Sequence, residues 1–305
     1  MKEYPLVSIV IPTYRRASFL SRAVNSALMQ TYPNIEVLVV DDNDPDTEYR
    51  KQTHQIMERY ANNSRVHYIK HPRNLNGAAA RNTGMAAATG KWCCFLDDDD
   101  WYLPEKIERQ VQYLDGNDEY QAVYCGYKRA DKTVHPYKQG DLSFELLSGI
   151  EVIYTNTIMI ERVRALEFGG WDERFKRNQE AVFLLRYFSS GGKIGALSDV
   201  LVQFDISDAS NRSSPEQFEK DFEFFLDVHQ KNIERCTEQY PNAKEKIFSY
   251  RYRGILLNYI KNGCWKQAIQ LYKKISMQLP GCFSQDCITY IIRRILHQPL
   301  FKEFN

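Results

Sequence analysis

Apolar positions in the first third of the chain fall into short unbroken runs separated by helical periodicities. Residues 6–11 (LVSIVI), 35–40 (IEVLVV), 66–70 (VHYIK) and 92–96 (WCCFL) read as strands. Between them, residues 18–30 place Phe19, Leu20, Val24, Ala27 and Leu28 on one helical face, and 47–60 and the alanine-rich 77–88 read as further helices. Apolar strands alternating with helices predict an α/β fold whose mainly parallel sheet is covered on both faces. Such sheets place ligands at the carboxyl ends of their strands. From Pro104 the order loosens into a helix over 104–114, a strand over 122–128, and strands at 157–160 and 200–204. Residues 207–215 (SDASNRSSP) form a polar loop and a domain boundary. The expectation is an α/β domain over 1–212 and a helical region over 213–305, interrupted at Pro241 and Pro280.

Composition narrows the partners. The chain has 305 residues, 43% of them hydrophobic, enough for one large domain and a smaller appendage. A formal net charge of +1 gives no field that would gather nucleic acid. The seven cysteines are odd in number and fit no zinc or redox spacing; Cys93 and Cys94 sit in an apolar run as core thiols. Their usage suits a reducing compartment. Neither a signal peptide nor a run approaching the roughly 20 apolar residues of a membrane span is visible. The expected location is the cytoplasm, with room for peripheral contact at the cytoplasmic face of the membrane.

Two acidic clusters follow directly on strands, Asp41-Asp42 and Asp97-Asp98-Asp99-Asp100. Carboxylates so crowded repel one another, and a hard divalent cation, Mn²⁺ or Mg²⁺, relieves the repulsion while sharing substrate phosphates. A solvated acidic turn is the plainer alternative, and Asp100 stands where it can cap the helix that follows. No Walker-type loop and no GxGxxG accompanies the first strand. A diphosphate must then be held by metal, basic side chains and a helix N-terminus, which residues 74–82 (NLNGAAARN) supply.

Taken in order, the segments VSIVIPTYRR (7–16), QTYP (30–33), VDD (40–42), NG (76–77), ARN (80–82), FLDDDD (95–100) and GGWD (169–172) resemble the family 2 inverting glycosyltransferases with a GT-A fold, the type found in bacterial polysaccharide and glycan biosynthesis. The resemblance implies residue roles. Pro12, Thr13 and Tyr14 form the loop that cups the nucleoside, and Asp42, with Asp41 beside it, reads base and ribose. Asn76, Gly77, Arg81 and Asp98 line the donor pocket, while Asp97 and Asp99 match the metal-binding DxD. Glu180 stands at the position of the catalytic base, where the family usually has Asp, and Val182 replaces a second acid common there. Arg212, in the polar loop, is a candidate for the donor diphosphate.

These parts describe a single displacement. A carboxylate takes the acceptor's proton, metal and fixed donors stabilise the departing nucleoside diphosphate, and configuration inverts. The implied donor is a UDP-sugar and the implied acceptor a glycan or lipid-linked glycan. Two rivals remain: a sugar-nucleotide nucleotidyltransferase, which would want a glycine-rich loop that is missing here, and a non-catalytic carbohydrate-binding or scaffold relative. From residue 244 onward, eleven Lys and Arg stand against three acids, interleaved with apolar residues. That pattern suits either peripheral contact with an anionic membrane or plain helical packing with a solvated basic face.

Overall fold

The computed structural model describes residues 4–207 and 213–296. These fall into two compact units, one containing residues up to 142 together with 153–207, the other 143–152 with 213–296.

The first unit begins with β1 (Val7–Thr13), α1 (Ala17–Leu28), β2 (Ile35–Asp41), α2 (Glu48–Glu58), β3 (Val66–Lys70), α3 (Gly77–Ala87) and β4 (Trp92–Phe95). Every residue of β2 and β4 is buried, which is why these strands read as unbroken apolar runs. β5 (Trp101–Tyr102), α4 (Lys106–Asp115), β6 (Ala122–Arg129) and β7 (Lys132–Val134) follow. After α5 (Ser143–Ser148), which belongs to the second unit, a 3₁₀ turn (Thr155–Thr157) leads into β8 (Ile158–Glu161), α6 (Arg162–Glu167), α7 (Gln179–Ser189) and β9 (Ile194–Phe204).

The sheet order is β3-β2-β1-β4-β8-β6-β9-β5, with β7 added beside β6. β1 to β4 are mutually parallel, β8 runs antiparallel between β4 and β6, and β6 and β9 are parallel again. The carboxyl ends of β1, β2, β4, β6 and β9 therefore share one edge. Helix α3 lies flush on β1 because Gly84 has no side chain: a Cβ there would meet Val10 Cγ1 at 2.3 Å. That close approach brings the N-terminus of α3 to the carboxyl edge.

β9 starts six residues before the strand expected at 200–204. Its pairing with β6 is irregular at Gly126, where the register shifts, so its polar and apolar positions do not alternate cleanly. All seven cysteines are free thiols; Cys93 is buried in β4, and burial pushes its thiol well up.

The second unit is helical: α5, α8 (Pro215–Val228), α9 (Gln230–Gln239), α10 (Ala243–Lys261), α11 (Trp265–Gln278) and α12 (Cys282–Ile295). Besides the expected breaks at Pro241 and Pro280, the chain breaks near His229 and Gly263, the latter with φ 72°. α5 joins this unit because Arg251 on α10 donates to the Leu146 carbonyl and, at 2.6 Å, to the Leu147 carbonyl at the end of α5. The same guanidinium lies 4.7 Å from the Phe222 ring, and burial pushes it down to about 9. The sequence expectation cut the chain once; the structure instead lends 143–152 to the helical unit, through a helix too short to carry a periodic pattern. No helix among the described residues is long and apolar enough to cross a membrane.

Candidate functional site

Four successive acids close β4, and the turn they form sends alternate side chains in opposite directions. Asp98 and Asp100 point inward and are each 4% exposed. Thr13 Oγ1, at the end of β1, donates to Asp98 Oδ2 at 2.7 Å. Burial pushes the Asp98 carboxyl up to about 7, against that hydrogen bond, with the Asp99 charge adding to the rise. Asp100 is pushed up to about 8, by burial first and then by the charges of Asp97 and Asp99. It accepts from the Asp205 backbone N–H at 2.7 Å and from the Asn156 amide. Asn156 is fully buried, and its Oδ1 also accepts from the Asp97 backbone N–H at 2.9 Å. One amide thus holds both ends of the acidic run.

Asp97 and Asp99 face the other way, with side chains 35% and 19% exposed. Each meets an arginine: Asp97 Oδ1 lies 2.5 Å from Arg81 Nη2, and Asp99 Oδ2 lies 2.6 Å from Arg16 Nη1. Arg22 donates to the Asp99 carbonyl and the Asp205 carboxylate, both at 2.5 Å, and stacks 4.2 Å from the Trp101 ring. Asp205 is held down to about 2, chiefly by the Ser207 hydroxyl. Among the described residues no three acidic, imidazole or thiol side chains form a group that could hold a metal unaided. The donor set still fits Mn²⁺ or Mg²⁺, which commonly take one or two carboxylates and complete their shell with water and substrate phosphate. Asp97 and Asp99 are the accessible pair, and the carboxyls behind them are raised chiefly because they are buried.

The second acidic cluster is built differently. Asp41 is fully buried and accepts from Tyr68 Oη at 2.5 Å, from the Asn43 backbone N–H at 3.0 Å and from the Asn43 side chain at 2.8 Å, with Arg50 Nε 3.2 Å away. Asp42 is 2% exposed. Its Oδ1 accepts from His71 Nδ1 at 2.7 Å and from the Leu75 backbone N–H at 2.8 Å. Its Oδ2 accepts from Asn74 Nδ2 at 2.8 Å and the Asn76 backbone N–H at 3.0 Å. Both oxygens are thus engaged inside the protein, shaping the loop that enters α3. Asn76 adopts φ 126°, a conformation costly for a residue with a side chain. It also caps α3 by accepting from the Ala79 N–H at 3.1 Å.

Arg81 leans from α3 across the carboxyl edge. Its Nη1 donates to Gln179 Oε1 at 2.8 Å, and its guanidinium lies 5.0 Å from the Trp171 ring. Gly77 leaves it room, since a Cβ there would stand 3.1 Å from Nη1. Pro12 is half-buried within β1, opposite Val40. Tyr14 is 36% exposed beyond the strand, with the Arg15 guanidinium 4.8 Å from its ring.

Glu180 is the second residue of α7, whose entry turns on Asn178 at φ 55°. Its carboxyl is pushed above the ordinary glutamate value, by burial first and by the Asp97 charge, against its own backbone N–H and Arg81. Asp172, the nearby acid of the GGWD segment, is a poor alternative base. Arg174 grips it at 2.6 Å and 2.9 Å and holds its carboxyl below the usual range. Arg212 lies outside the described residues.

The carboxyl edge therefore carries Thr13 bonded to Asp98, Arg81 bonded to both Asp97 and Gln179, and Arg16 bonded to Asp99, with Glu180 electrostatically coupled to Arg81 and Asp97. Sequence reasoning missed Asn156, Arg22, Asp205 and His71. Each acts over a long stretch of chain, and none stands in a local pattern. Arg16 stood within a recognised segment and Gln179 beside Glu180, but neither had been given a role. The cavity lined by Tyr4, Pro5, Lys91 and Asp115 opens beside the amino ends of β1 and β4, away from these carboxylates.

Residues 8–170 match the model of a known family, Glycosyl transferase family 2. The chain belongs to that family. An uncharacterised glycosyltransferase of Rickettsia prowazekii (strain Madrid E) is 32% identical over 195 residues, which cover 60% of this chain and 59% of that protein. The match thus spans less than two-thirds of that relative's length. A putative teichuronic acid biosynthesis glycosyltransferase of Bacillus subtilis (strain 168), TuaG, is 32% identical over 111 residues, 36% of this chain and 42% of the relative. Among solved structures, residues 1–349 of S. aureus TarS in complex with UDP-GlcNAc superimpose with a TM-score of 0.66 at 18% identity, over 98% of this chain and 93% of that one. The mannosyltransferase PcManGT of Pyrobaculum calidifontis, in complex with GDP-Man and Mn²⁺, gives 0.55 at 16% identity, over 97% and 89%. At such identities the likeness is one of fold, and this family 2 chain has the mixed, mainly parallel GT-A sheet flanked by helices.

Proposed function

We propose that this family 2 protein transfers a sugar from a UDP-linked donor to a hydroxyl of a glycan or lipid-linked glycan, with inversion at the anomeric carbon. The observation that carries the reading is the outward pair Asp97 and Asp99, each against an arginine, at the strand edge electrostatically coupled to Glu180. The names of relatives lend support: one is assigned to teichuronic acid biosynthesis, and one structural neighbour holds UDP-GlcNAc.

In this reading Tyr14 and the loop shaped by Asp42 flank the nucleoside. Asp42 acts through the loop, since its oxygens are already engaged. Asn76 and Gly77 set the N-terminus of α3 toward the diphosphate. Asp97 and Asp99 hold Mn²⁺ or Mg²⁺, which when bound offsets the charge gained by the diphosphate oxygens. Arg81 and Arg16 exchange a carboxylate partner for a phosphate one, and Arg212 is the further candidate for that contact. Glu180 takes the proton of the acceptor hydroxyl as its oxygen forms a bond to the anomeric carbon. The carbon–oxygen bond to the diphosphate breaks on the opposite face, and the nucleoside diphosphate leaves with the electron pair.

The test is release of UDP from UDP-sugars by the purified chain, with Mn²⁺ present and after chelation. Metal-dependent release that rises with a glycan acceptor is expected. Pyrophosphate formation from a nucleoside triphosphate and sugar phosphate would instead identify a nucleotidyltransferase, and donor binding without turnover on any acceptor a carbohydrate-binding relative.

A further inference from the structure

Helix α12 is apolar on two faces, and among the described residues its neighbours in the second unit cover only one of them. Phe283 and Cys287 are buried, Asp286 is paired with Arg253 of α10, and the Arg253 guanidinium lies 4.7 Å from the Tyr290 ring. The other face carries Ile288, Ile291, Ile292 and Ile295, which are 57%, 54%, 49% and 69% exposed. Their spacing of three and four residues makes one continuous stripe. Helix α11 repeats the arrangement. It buries Ala268, Leu271 and Ile275 while Trp265 and Ile269, one turn apart, are 60% and 56% exposed. The two helices meet where Tyr272 Oη lies 3.0 Å from Ser284 Oγ. Scattered exposed aliphatics need no explanation, but a stripe of isoleucines on one helix with exposed tryptophan on the next does.

Charge selects the occupant. From Ala243 to Ile295 the three helices and their connections hold ten Lys and Arg but only two acids, Glu245 and Asp286. Asp286 is already spent on Arg253. Lys266, Lys273 and Arg294 are exposed on α11 and α12, the same two helices that carry the apolar stripes. A second copy of the chain docking through this face would set basic surface against basic surface, because a two-fold contact presents the same patch from both sides. An apolar stripe with basic flanks instead matches an anionic bilayer, whose acyl region takes the isoleucines while its phosphates meet the cations. We propose that α11 and α12 form a surface that lies on anionic phospholipid membranes without crossing them. The inference rests on the helical unit alone and is independent of the proposed reaction.

Cosedimentation of the full chain with vesicles tests it, using phosphatidylcholine alone and an equal mixture of phosphatidylcholine and phosphatidylglycerol. Binding is expected only to the mixture, weakening as salt rises. Ile291→Ser combined with Ile295→Ser should lower the affinity about tenfold or more, given about 0.8 kcal/mol for each buried methylene lost. The melting temperature and donor binding should not change. Lys273→Glu combined with Arg294→Glu should lower it by a similar factor, since each basic residue near the surface contributes about 1 kcal/mol. No binding to either vesicle, or equal binding to both, would overturn the proposal. So would a dimer seen by light scattering that the isoleucine substitutions abolish, since the stripe would then belong to a second copy.

Discussion

Two runs of aspartate close the two parallel strands that flank β1, and the protein treats them in opposite ways. Asp41 and Asp42, after β2, are fully engaged by the protein: tyrosine, arginine, histidine, asparagine and backbone N–H groups use their oxygens. Asp97 to Asp100, after β4, are only half engaged. Asp98 and Asp100 are anchored, yet burial and neighbouring charge raise their carboxyls to about 7 and about 8. Asp97 and Asp99 keep solvent access and face side chains that can let go. Buried carboxylates with satisfied partners are scaffold. Carboxylates that keep solvent access at a strand edge are where a cation can bind and share a diphosphate.

The sharpest way to break the comparison is to remove one acid from each cluster. Asp99→Ala should leave the protein folded and lower turnover about a thousandfold, the equivalent of several kcal/mol of charge stabilisation lost with the metal. Steady-state rates at saturating Mn²⁺, with melting curves alongside, decide it; near-normal rates would place the metal elsewhere. Asp42→Ala should act mainly on stability. It strips a partner from four donors, of which only the His71 imidazole is buried and would cost about 1–3 kcal/mol if left unsatisfied, so a fall in melting temperature of about 5 °C is expected by calorimetry. Unchanged melting with lost nucleotide binding would turn Asp42 from scaffold into a direct contact.

Glu180 tests whether the half-engaged cluster reaches the chemistry. Glu180→Gln should keep donor binding, measured by calorimetric titration, and lose about a hundredfold in turnover, since the amide cannot take the proton. A carboxylate in that role would work only when ionised. Its carboxyl is raised above the ordinary value of 4.5. Activity should therefore be full at high pH and fall as pH drops through that raised value, placing the acid limb of kcat/KM above 4.5. A limb at or below 4.5, or a loss under tenfold in the glutamine variant, would remove Glu180 from the role.

Much of the first unit was legible because burial wrote it into the sequence. β1, β2 and β4 are covered on both faces, so they appear as apolar runs, and the turns after β2 and β4 display their acids, whereas the edge strand β3 is only partly buried. β5 and β7, with two and three residues, are too short to show a period. The start of β9, which precedes the irregularity opposite Gly126, and the six residues of α5 take their places from distant partners. The acids of the candidate site were legible for the same reason, but their division into scaffold and site was not. That division depends on Arg50, His71 and Asn156, each brought in from another element. The alternation of Asp97 and Asp99 against Asp98 and Asp100 belongs to a turn closed by the Asp100 N–H on the Asp97 carbonyl at 3.1 Å, not to extended backbone, so no strand period announces it in the sequence.

Asn156 gives the finest test of that division. It sits 56 positions from Asp100 in sequence, touches neither of the outward acids' carboxylates among its resolved bonds, and yet fixes both ends of the run. If the outward pair binds metal because the inward contacts hold the turn in place, Asn156→Ala should weaken metal binding more than it slows the loaded enzyme. Partners one step behind metal ligands typically affect affinity about tenfold to a hundredfold. An increase of about tenfold in the Mn²⁺ concentration for half-maximal rate is expected, with kcat at saturating Mn²⁺ within about threefold of the original. A residue with only a packing role would lower the melting temperature and leave the metal dependence where it was. That outcome would mean the alternation around the turn is held by Thr13 and the backbone alone.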